Sequence, residues 1–149
     1  MNDGALTYRQ AFAAGLRPDP DHTVSTWADN HRMLSQKASA EPGRWRTERT
    51  PYLREIMDEL SPSSPAQRVV FMAGAQVGKS ETGNNWLGFV IHHAPGPMLL
   101  VQPTVDTAKR FSKQRLAPMI DESPALRERI MDNKSRDSSN AMMSKEFPG

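Results

Sequence analysis

The chain has 149 residues, of which 37% are hydrophobic and 24% are charged, and its net charge is +2. This size and composition indicate one soluble domain of ordinary length, and so small a charge neither supports nor excludes a nucleic-acid partner. The absence of cysteine excludes a disulfide framework and a thiolate metal site, which fits a reducing cytoplasm. No apolar run approaches the ~20 residues that cross a bilayer and no secretion signal is present, so we expect an intracellular protein without a membrane partner.

The first 60 residues are predicted to form a helical, loop-rich segment. Apolar side chains recur at helical spacing over residues 5–16, 23–35 and 51–60, and the last of these helices begins at Pro51. The first helix carries an apolar stripe that needs a contact surface, either on its own domain or on a partner protein. Between the second and third helices, residues 36–49 are predicted to be extended or looped.

After a Ser-Pro linker at residues 61–65, the pattern changes to alternating strands and helices. Short β-prone runs at 68–72 and 98–101 are typical of strands buried on both faces. Three helices and a third strand are also predicted, at 80–92, 105–117, 125–131 and 141–147. Strand, loop, helix, strand, helix is the order of a parallel sheet, so we expect an incomplete α/β fold divided into residues 1–60 and 66–149.

Two of these helices have predicted apolar faces. In the helix at 80–92, the apolar side chains that share one side are Trp86, Leu87 and Val90. Thr104 is placed to cap the helix at 105–117. The inward stripe of that second helix is predicted to be Val105, Ala108, Phe111 and Leu116.

Residues 73–80 read Ala-Gly-Ala-Gln-Val-Gly-Lys-Ser and differ by one residue from the phosphate-binding (P-loop or Walker A) pattern, because Ala73 replaces the first glycine. The small residues and Gly78 would allow consecutive backbone amides to surround phosphate oxygens, and the following helix N-terminus adds partial positive charge. Lys79 would contact the β- and γ-phosphates, and the Ser80 hydroxyl would bind Mg²⁺. The predicted nucleotide-binding residues of this segment are Gly74, Ala75, Gln76, Val77, Gly78, Lys79, Ser80 and Glu81.

A chance Gly-Lys-Ser sequence is the alternative interpretation of this loop. We favour the nucleotide site because the motif lies between a strand candidate and a helix candidate, which is the setting that a phosphate loop requires. Hydrolysis would also need an acidic residue at the end of a second strand, to hold Mg²⁺ and position water. The local candidates, Asp121 and Glu122, follow a helical pattern, so we expect them at a solvated helix end and leave the catalytic residues unassigned.

Short motifs on both sides of the loop form an ordered set. Those before it are Glu41-Pro42-Gly43-Arg44-Trp45-Arg46-Thr47, Arg49-Thr50-Pro51-Tyr52-Leu53 and Ile56-Met57-Asp58. Those after it include Pro95-Gly96-Pro97, Val101-Gln102-Pro103-Thr104 and Lys145-Glu146-Phe147-Pro148-Gly149. In this order and spacing they resemble the lambda-type (GpA) family of phage terminase large subunits, over residues 24–149.

The resemblance implies a P-loop ATPase that drives DNA into an empty procapsid, followed by a metal-dependent endonuclease that cuts concatemeric DNA into genomes. It implies ATP and Mg²⁺ as cofactors and the bacterial host cytoplasm as location. The implied partners are double-stranded DNA, the portal of the procapsid, and a small terminase subunit, which the first helix would bind. Carried over to this sequence, Gly78, Lys79 and Ser80 would hold the phosphates and the metal. Tyr52 lies in a segment that resembles the family's adenine-contacting element, where its ring would stack on the base; packing on the core is the open alternative.

Two departures limit this transfer. Many terminases carry an arginine within the phosphate loop, whereas residues 74–77 here are Gly-Ala-Gln-Val. The charge-stabilising arginine is therefore unassigned, and a neighbouring subunit is one source for it, through self-association. The acidic strand and the nuclease domain are expected beyond Gly149, so this chain alone is expected to be weakly active or inactive. The alternative function is a catalytically inactive prophage remnant or a partner-binding module that retains the P-loop.

Other basic and histidine residues have ordinary interpretations. Lys109 and Lys113 share a helix face that either follows DNA phosphates or is solvated, and we favour the solvated face. The arginines around Trp45 form either a patch for single-stranded nucleic acid or a loop that packs its tryptophan. His92 and His93 are adjacent and diverge on a helix, so we expect surface histidines and no metal pair.

Overall fold

The computed structural model describes residues 3–16, 21–36, 41–130 and 143–148. In chain order its elements are α1 (Asp3–Gly15), α2 (Val24–His31), β1 (Met33–Leu34), β2 (Gly43–Arg44), a 3₁₀ turn (Thr47–Arg49), α3 (Tyr52–Asp58), α4 (Lys79–His92), α5 (Val105–Phe111), a π-helical segment (Ser112–Leu116), α6 (Ala117–Glu122) and α7 (Pro124–Arg129). The described part of the protein is therefore mostly helical, and each helix predicted from the sequence is present with shifted ends.

Helix α2 is fixed at its start by local capping and by a contact from the end of α3. The Thr23 side chain accepts from the Thr26 N–H and the Thr26 hydroxyl accepts from the Thr23 N–H, which forms a capping box. The Val24 N–H donates to Ser61 Oγ at 2.9 Å. The helix ends at His31, earlier than predicted, because the chain then becomes extended and forms β1.

The predicted parallel sheet is not present among the described residues. The strands of the described part are β1 and β2, which pair antiparallel with Met33 opposite Arg44 and Leu34 opposite Gly43. Strand β2 lies in the segment 36–49 that was predicted to be extended or looped.

The two apolar runs predicted as buried strands have no strand partner and are largely exposed. Val70 is 75% exposed and Met72 is 91% exposed, while Leu99 and Val101 are 86% and 75% exposed. A strand needs backbone partners on a neighbouring strand, and among the described residues the paired strands are β1 and β2 alone. Of the predicted third strand at 141–147, the first two residues lie outside the described residues and the rest forms no strand.

One apolar core joins the N-terminal helices to the helices that follow the phosphate loop. Its buried members come from both sides of the linker at 61–65, and they are Val24, Trp27, Ala28, Trp45, Leu53, Met57, Phe89, Ile91, Met119, Ile120, Leu126 and Ile130. Helix α4 contacts α2, α3 and α7. The helix that begins at the phosphate loop is therefore central to this core.

Two of the three apolar residues predicted to share one side of α4, Leu87 and Val90, are half-buried and pack against the core. Trp86 is 37% exposed, whereas Phe89 and Ile91 are buried at 1% and 2% exposure. Helix α2 causes this choice of face, because the Trp27 ring packs directly against Gly88. A Cβ at Gly88 would lie 2.3 Å from Trp27 Cη2, so the absence of a side chain permits this close contact.

The predicted helix at 105–117 continues further than expected, as α5, the π-helical segment and α6. Thr104 caps it as predicted, since its side chain accepts from the Thr107 N–H at 3.1 Å. Pro118 lies at the start of α6 and has no N–H to donate to the preceding turn, which explains the irregular hydrogen bonding there. Val105 is 64% exposed, so its predicted inward position is wrong.

Candidate nucleotide-binding loop

The segment 73–80 turns back on itself and does not run extended. Gln76 has a φ of 59° and Gly78 a φ of 86°, both in the left-handed region. Left-handed residues of this kind turn neighbouring amides towards one side, as in the anion-binding nests of phosphate loops. Gln76 is the one non-glycine residue with positive φ among the described residues, and such a conformation costs about 1 kcal/mol or more.

Gly78 is required at its position for two reasons. Its left-handed backbone favours glycine, and a Cβ there would lie 2.7 Å from Leu53 Cδ1. Leu53 is fully buried in α3, so the loop is packed closely against the N-terminal segment at this point. Gly74 has neither requirement, since its φ is not left-handed and an added Cβ would meet no atom within 4 Å.

The Lys79 side chain spans the loop. Its Nζ donates to the Ala73 carbonyl oxygen at 2.7 Å, which brings the ammonium group back to the first residue of the motif. Lys79 and Ser80 are both exposed, and Ala75 is exposed in the turn between them and Ala73. The loop therefore presents a cationic group and a hydroxyl at a helix N-terminus that an anion can reach from solvent.

Tyr52, the first residue of α3, lies next to the leucine that packs against the loop. Its side chain is 56% exposed, so the ring does not pack in the core as the alternative interpretation required. An exposed aromatic ring beside the loop is compatible with the predicted base-stacking role.

Glu81, in the first turn of α4, directs its carboxylate towards the N-terminal segment. Oε2 accepts from Arg32 Nη2 at 3.1 Å, and Oε1 accepts from Asn84 Nδ2 at 3.3 Å. Arg115 Nη1 lies 3.9 Å from the same Oε1. The side chain predicted to belong to the nucleotide site is thus engaged by two arginines and one amide.

Comparison with known proteins decides the family. A model of the family described as phage terminase large subunit gpA, ATPase domain, matches residues 39–149. The chain belongs to this family. Two similar proteins, each named "Terminase, large subunit", come from Escherichia phage lambda and Enterobacteria phage P21, at 31% and 33% identity over 122 residues. Each match covers 79% of this chain and 18% of the relative, and no solved structure matches the chain.

Membership in the terminase family confirms the resemblance seen in the ordered motifs, and it implies that the domain uses a nucleotide. The local acidic candidates lie at an exposed helix end. Asp121 and Glu122 are exposed in the last turn of α6, as the sequence predicted for a solvated helix end. The catalytic acid of this terminase chain stays unassigned within the described residues.

The loop around Trp45 packs its tryptophan in the core of the terminase chain. Trp45 is 7% exposed, and its Nε1 donates to Thr47 Oγ1 at 3.0 Å. Two neighbouring arginines have local partners, since Arg44 donates to the Asn30 carbonyl and Arg49 pairs with Glu41. The ring cannot stack on bases in this arrangement, so a patch for single-stranded nucleic acid is not favoured.

The interpretation of His92 and His93 as surface residues is wrong. Both are half-buried and lie at the end of α4, beside two histidines from the α2 region. The ring centroids of His31 and His92 are 4.9 Å apart, those of His22 and His93 are 5.3 Å apart, and Trp27 Nε1 donates to His92 Nδ1 at 3.1 Å.

Two histidines of this cluster, His31 and His92, have lowered pKa values, which favours their neutral rings. Burial lowers the pKa of His31 below its ordinary value, with smaller contributions from the charges of His22, Arg44 and His93. Burial also lowers the pKa of His92; the charges of His31, Arg129 and His93 act in the same direction and Glu128 opposes them. In the part of the chain that the structure describes, no group of three or more histidine or acidic side chains is arranged to hold a metal ion.

Two further predictions concern the basic face of α5 and membrane crossing. Lys109 and Lys113 are exposed, as expected of a solvated face. Across the described ranges, no helix is both long and apolar enough to cross a membrane.

Sequence reasoning missed two residues that shape the site. Leu53 packs against Gly78, and a signal for it existed, because it follows Tyr52 in a motif of the family resemblance. Arg32 contacts Glu81 from the end of α2, and nothing in its sequence neighbourhood distinguishes it from an ordinary solvated arginine.

Proposed function

We propose that this chain is the ATP-binding part of a phage terminase large subunit, whose ATPase powers the packaging of double-stranded DNA into procapsids in the bacterial host cytoplasm. The observation that carries the proposal is the conformation of the loop at 73–80. Left-handed residues at 76 and 78 turn the chain back on itself, and the Lys79 side chain spans the resulting solvent-exposed turn. Family membership supports the same function independently.

The roles of the loop residues follow from their chemistry. The amides of residues 74–78 would bind phosphate oxygens, and Lys79 would exchange the Ala73 carbonyl for the β- and γ-phosphates. Ser80 has an exposed hydroxyl in the first turn of α4, which suits a ligand of Mg²⁺. Bound Mg²⁺ would neutralise phosphate charge, and the Tyr52 ring would stack on adenine.

The other activities belong to proposals about the whole protein, because the chain spans about 18% of the length of the terminases it matches. We propose that a full-length protein also cuts concatemeric DNA with an endonuclease domain. Its proposed partners are the small terminase subunit, the portal and a second copy of itself that supplies an arginine to the ATP site.

We also propose that the runs 68–72 and 98–101 are strands of a parallel P-loop sheet once the rest of a full-length protein provides neighbouring strands. Their β-prone composition and their positions before the loop and after α4 support this assignment. In a full-length protein the amides of 68–72 should be protected from hydrogen exchange. Equally fast exchange in the long and short chains would contradict it.

The test of the proposed function is the binding of a fluorescent ATP analogue with Mg²⁺ to the 149-residue chain. Lys79→Ala should weaken binding by about 10- to 100-fold, because a charge-assisted contact to phosphate is lost. Lys109→Ala removes an equally exposed lysine from α5 and is the matched control, which should bind as the wild type does. Equal affinity of all three proteins would contradict the assignment of the loop.

The isolated chain is expected to hydrolyse ATP slowly or not at all, since no catalytic acid is assigned in it. Steady-state phosphate release measures this directly. Rapid turnover that Asp121→Asn or Glu122→Gln abolishes would show that the acid lies in α6.

A second candidate function, a partner-binding module that retains the P-loop without activity, is favoured by the exposure of α1. Every residue from 4 to 16 is exposed, including Leu6, Phe12 and Leu16, so the helix does not pack back onto its own domain. Binding of the small terminase subunit that is lost in Phe12→Ala and unaffected by Lys79→Ala or ATP would favour this function. Binding that is unaffected by Phe12→Ala would argue against a role for α1.

A further inference from the structure

A buried arginine contacts the phosphate-binding helix from the N-terminal segment. Arg32 is 3% exposed and pairs with Glu81, whose side chain is 22% exposed, at 3.1 Å. Glu81 follows Ser80 directly and lies two residues after Lys79. The ion pair therefore acts on the same helical turn that carries the proposed phosphate and metal ligands.

The backbone of Arg32 is held on both sides. Its N–H donates to the Ala28 carbonyl at 3.0 Å, and its carbonyl accepts from the Trp45 N–H at 3.0 Å. One guanidinium nitrogen also donates to the Met33 carbonyl. The arginine is thus fixed in the core, while its Nε has no hydrogen-bond partner.

Side chains from three segments of the chain surround the carboxylate of Glu81. Arg32 approaches it from the end of α2, Asn84 from the next turn of α4, and Arg115 from the π-helical segment. A carboxylate that accepts hydrogen bonds from two buried donors, Arg32 and Asn84, has few alternative positions, so it restrains the first turn of α4.

Stability alone does not explain a cation buried at this position. Burial lowers the pKa of Arg32, and the charge of Glu81 and its hydrogen bond act against that shift. The cost of desolvation largely offsets the attraction within a buried ion pair, and apolar residues of similar volume often serve stability as well or better. Unlike an apolar contact, the ion pair between Arg32 and Glu81 fixes the orientation of the two side chains.

We propose that Arg32, acting through Glu81, is a positioning residue of the nucleotide site. It orients the first turn of α4 so that Lys79, Ser80 and the loop amides are arranged for phosphate before the nucleotide arrives. Preorganisation of this kind reduces the ordering that binding must provide. This inference rests on the proposed function of the loop.

The experiment measures affinity for the Mg²⁺-bound ATP analogue, hydrogen exchange of residues 78–85 without nucleotide, and the free energy of unfolding, in the whole chain. Arg32→Met should weaken binding about 10-fold and accelerate exchange in the first turn of α4. Arg32→Lys keeps the charge and should restore part of the affinity. Arg46→Met breaks the exposed pair with Glu48 and is the control, which should change neither binding nor exchange.

Glu81→Gln provides the second arm and preserves the shape of the side chain. If Arg32 acts through Glu81, the double variant Arg32→Met/Glu81→Gln should bind no more weakly than the weaker single variant. Unchanged affinity in both single variants, alongside a loss of affinity in Lys79→Ala, would overturn the positioning role and leave the nucleotide site intact. Unchanged affinity in Lys79→Ala as well would overturn the proposed function and the inference together.

Discussion

The predicted phosphate loop and the apolar runs at 68–72 and 98–101 belong to one predicted strand–loop–helix–strand unit. They differ in how the structure packs them. The loop and α4 are packed against the N-terminal segment through Leu53 at Gly78 and Trp27 at Gly88. The runs 68–72 and 98–101 have no strand partner in the part of the chain that the structure describes, and Met72 is 91% exposed.

The difference follows from the distance along the chain at which each element finds its partners. A helix satisfies its backbone hydrogen bonds within itself, and α4 then needs only one apolar face against nearby helices. A strand depends on backbone groups that are remote in sequence. The N-terminal segment of this chain therefore supplies the contacts that pack the loop and α4. The backbone groups of the two runs have no strand partner among its described residues.

The largest effect should come from comparing one side chain in each region. Phe89→Ala removes a ring that is 1% exposed and should lower the free energy of unfolding by about 3–5 kcal/mol. Met72→Ala removes a side chain that is 91% exposed and should change it by less than about 0.5 kcal/mol. Urea denaturation measures both. A large loss from Met72→Ala would show that the run at 68–72 is packed in solution.

Alanine substitutions at two glycines of α4 should change the stability of the protein by smaller amounts and in opposite directions. Gly88→Ala should destabilise the protein by about 1–3 kcal/mol, because the added Cβ would lie 2.3 Å from the rigid Trp27 ring. Gly83→Ala meets nothing within 4 Å and should stabilise the helix by up to about 1 kcal/mol. The thermal midpoints of the two variants should move in opposite directions. A shift of both in the same direction would contradict the packing of α2 on α4.

The smallest effect is expected from pH, acting on the histidines between α2 and α4. The pKa values of His31 and His92 are lowered by burial, so the unfolded chain binds more protons as pH falls through their ordinary value of about 6.5. The free energy of unfolding should be largest above about pH 7.5. As pH falls, it should decrease around pH 6.5 and level off below the lowered pKa values of His31 and His92. A variant with His31→Gln and His92→Gln should have a flatter profile between pH 5.5 and 7.5. The same slope in both proteins would exclude the cluster as its source.

The sequence predicted the helices, the phosphate loop and the family, because each depends on local spacing or on a motif whose chemistry is specific. Thr104 is an example, since its capping role follows from its position before an amphipathic run. The apolar side predicted for α4 includes Leu87 and Val90, which pack against the core, but it omits Gly88, because sequence spacing gives glycine no weight as a packing position.

Residues of the site that depend on tertiary contacts were beyond sequence reasoning. Gln76 adopts a left-handed conformation that its residue type does not favour. Arg32 is buried against Glu81 although arginine at the end of a helix is ordinarily solvated. The histidine cluster likewise forms only when α2 and α4 meet, since His31 and His92 are far apart in the chain.

The most direct test of the account is the chemical-shift change of each backbone amide when ATP and Mg²⁺ are added to the chain. We expect the largest changes at the amides of residues 74–80, because these groups would donate hydrogen bonds to phosphate oxygens. Changes confined to other regions, or no change at nucleotide concentrations in the millimolar range, would contradict the claim that this turn is a triphosphate site.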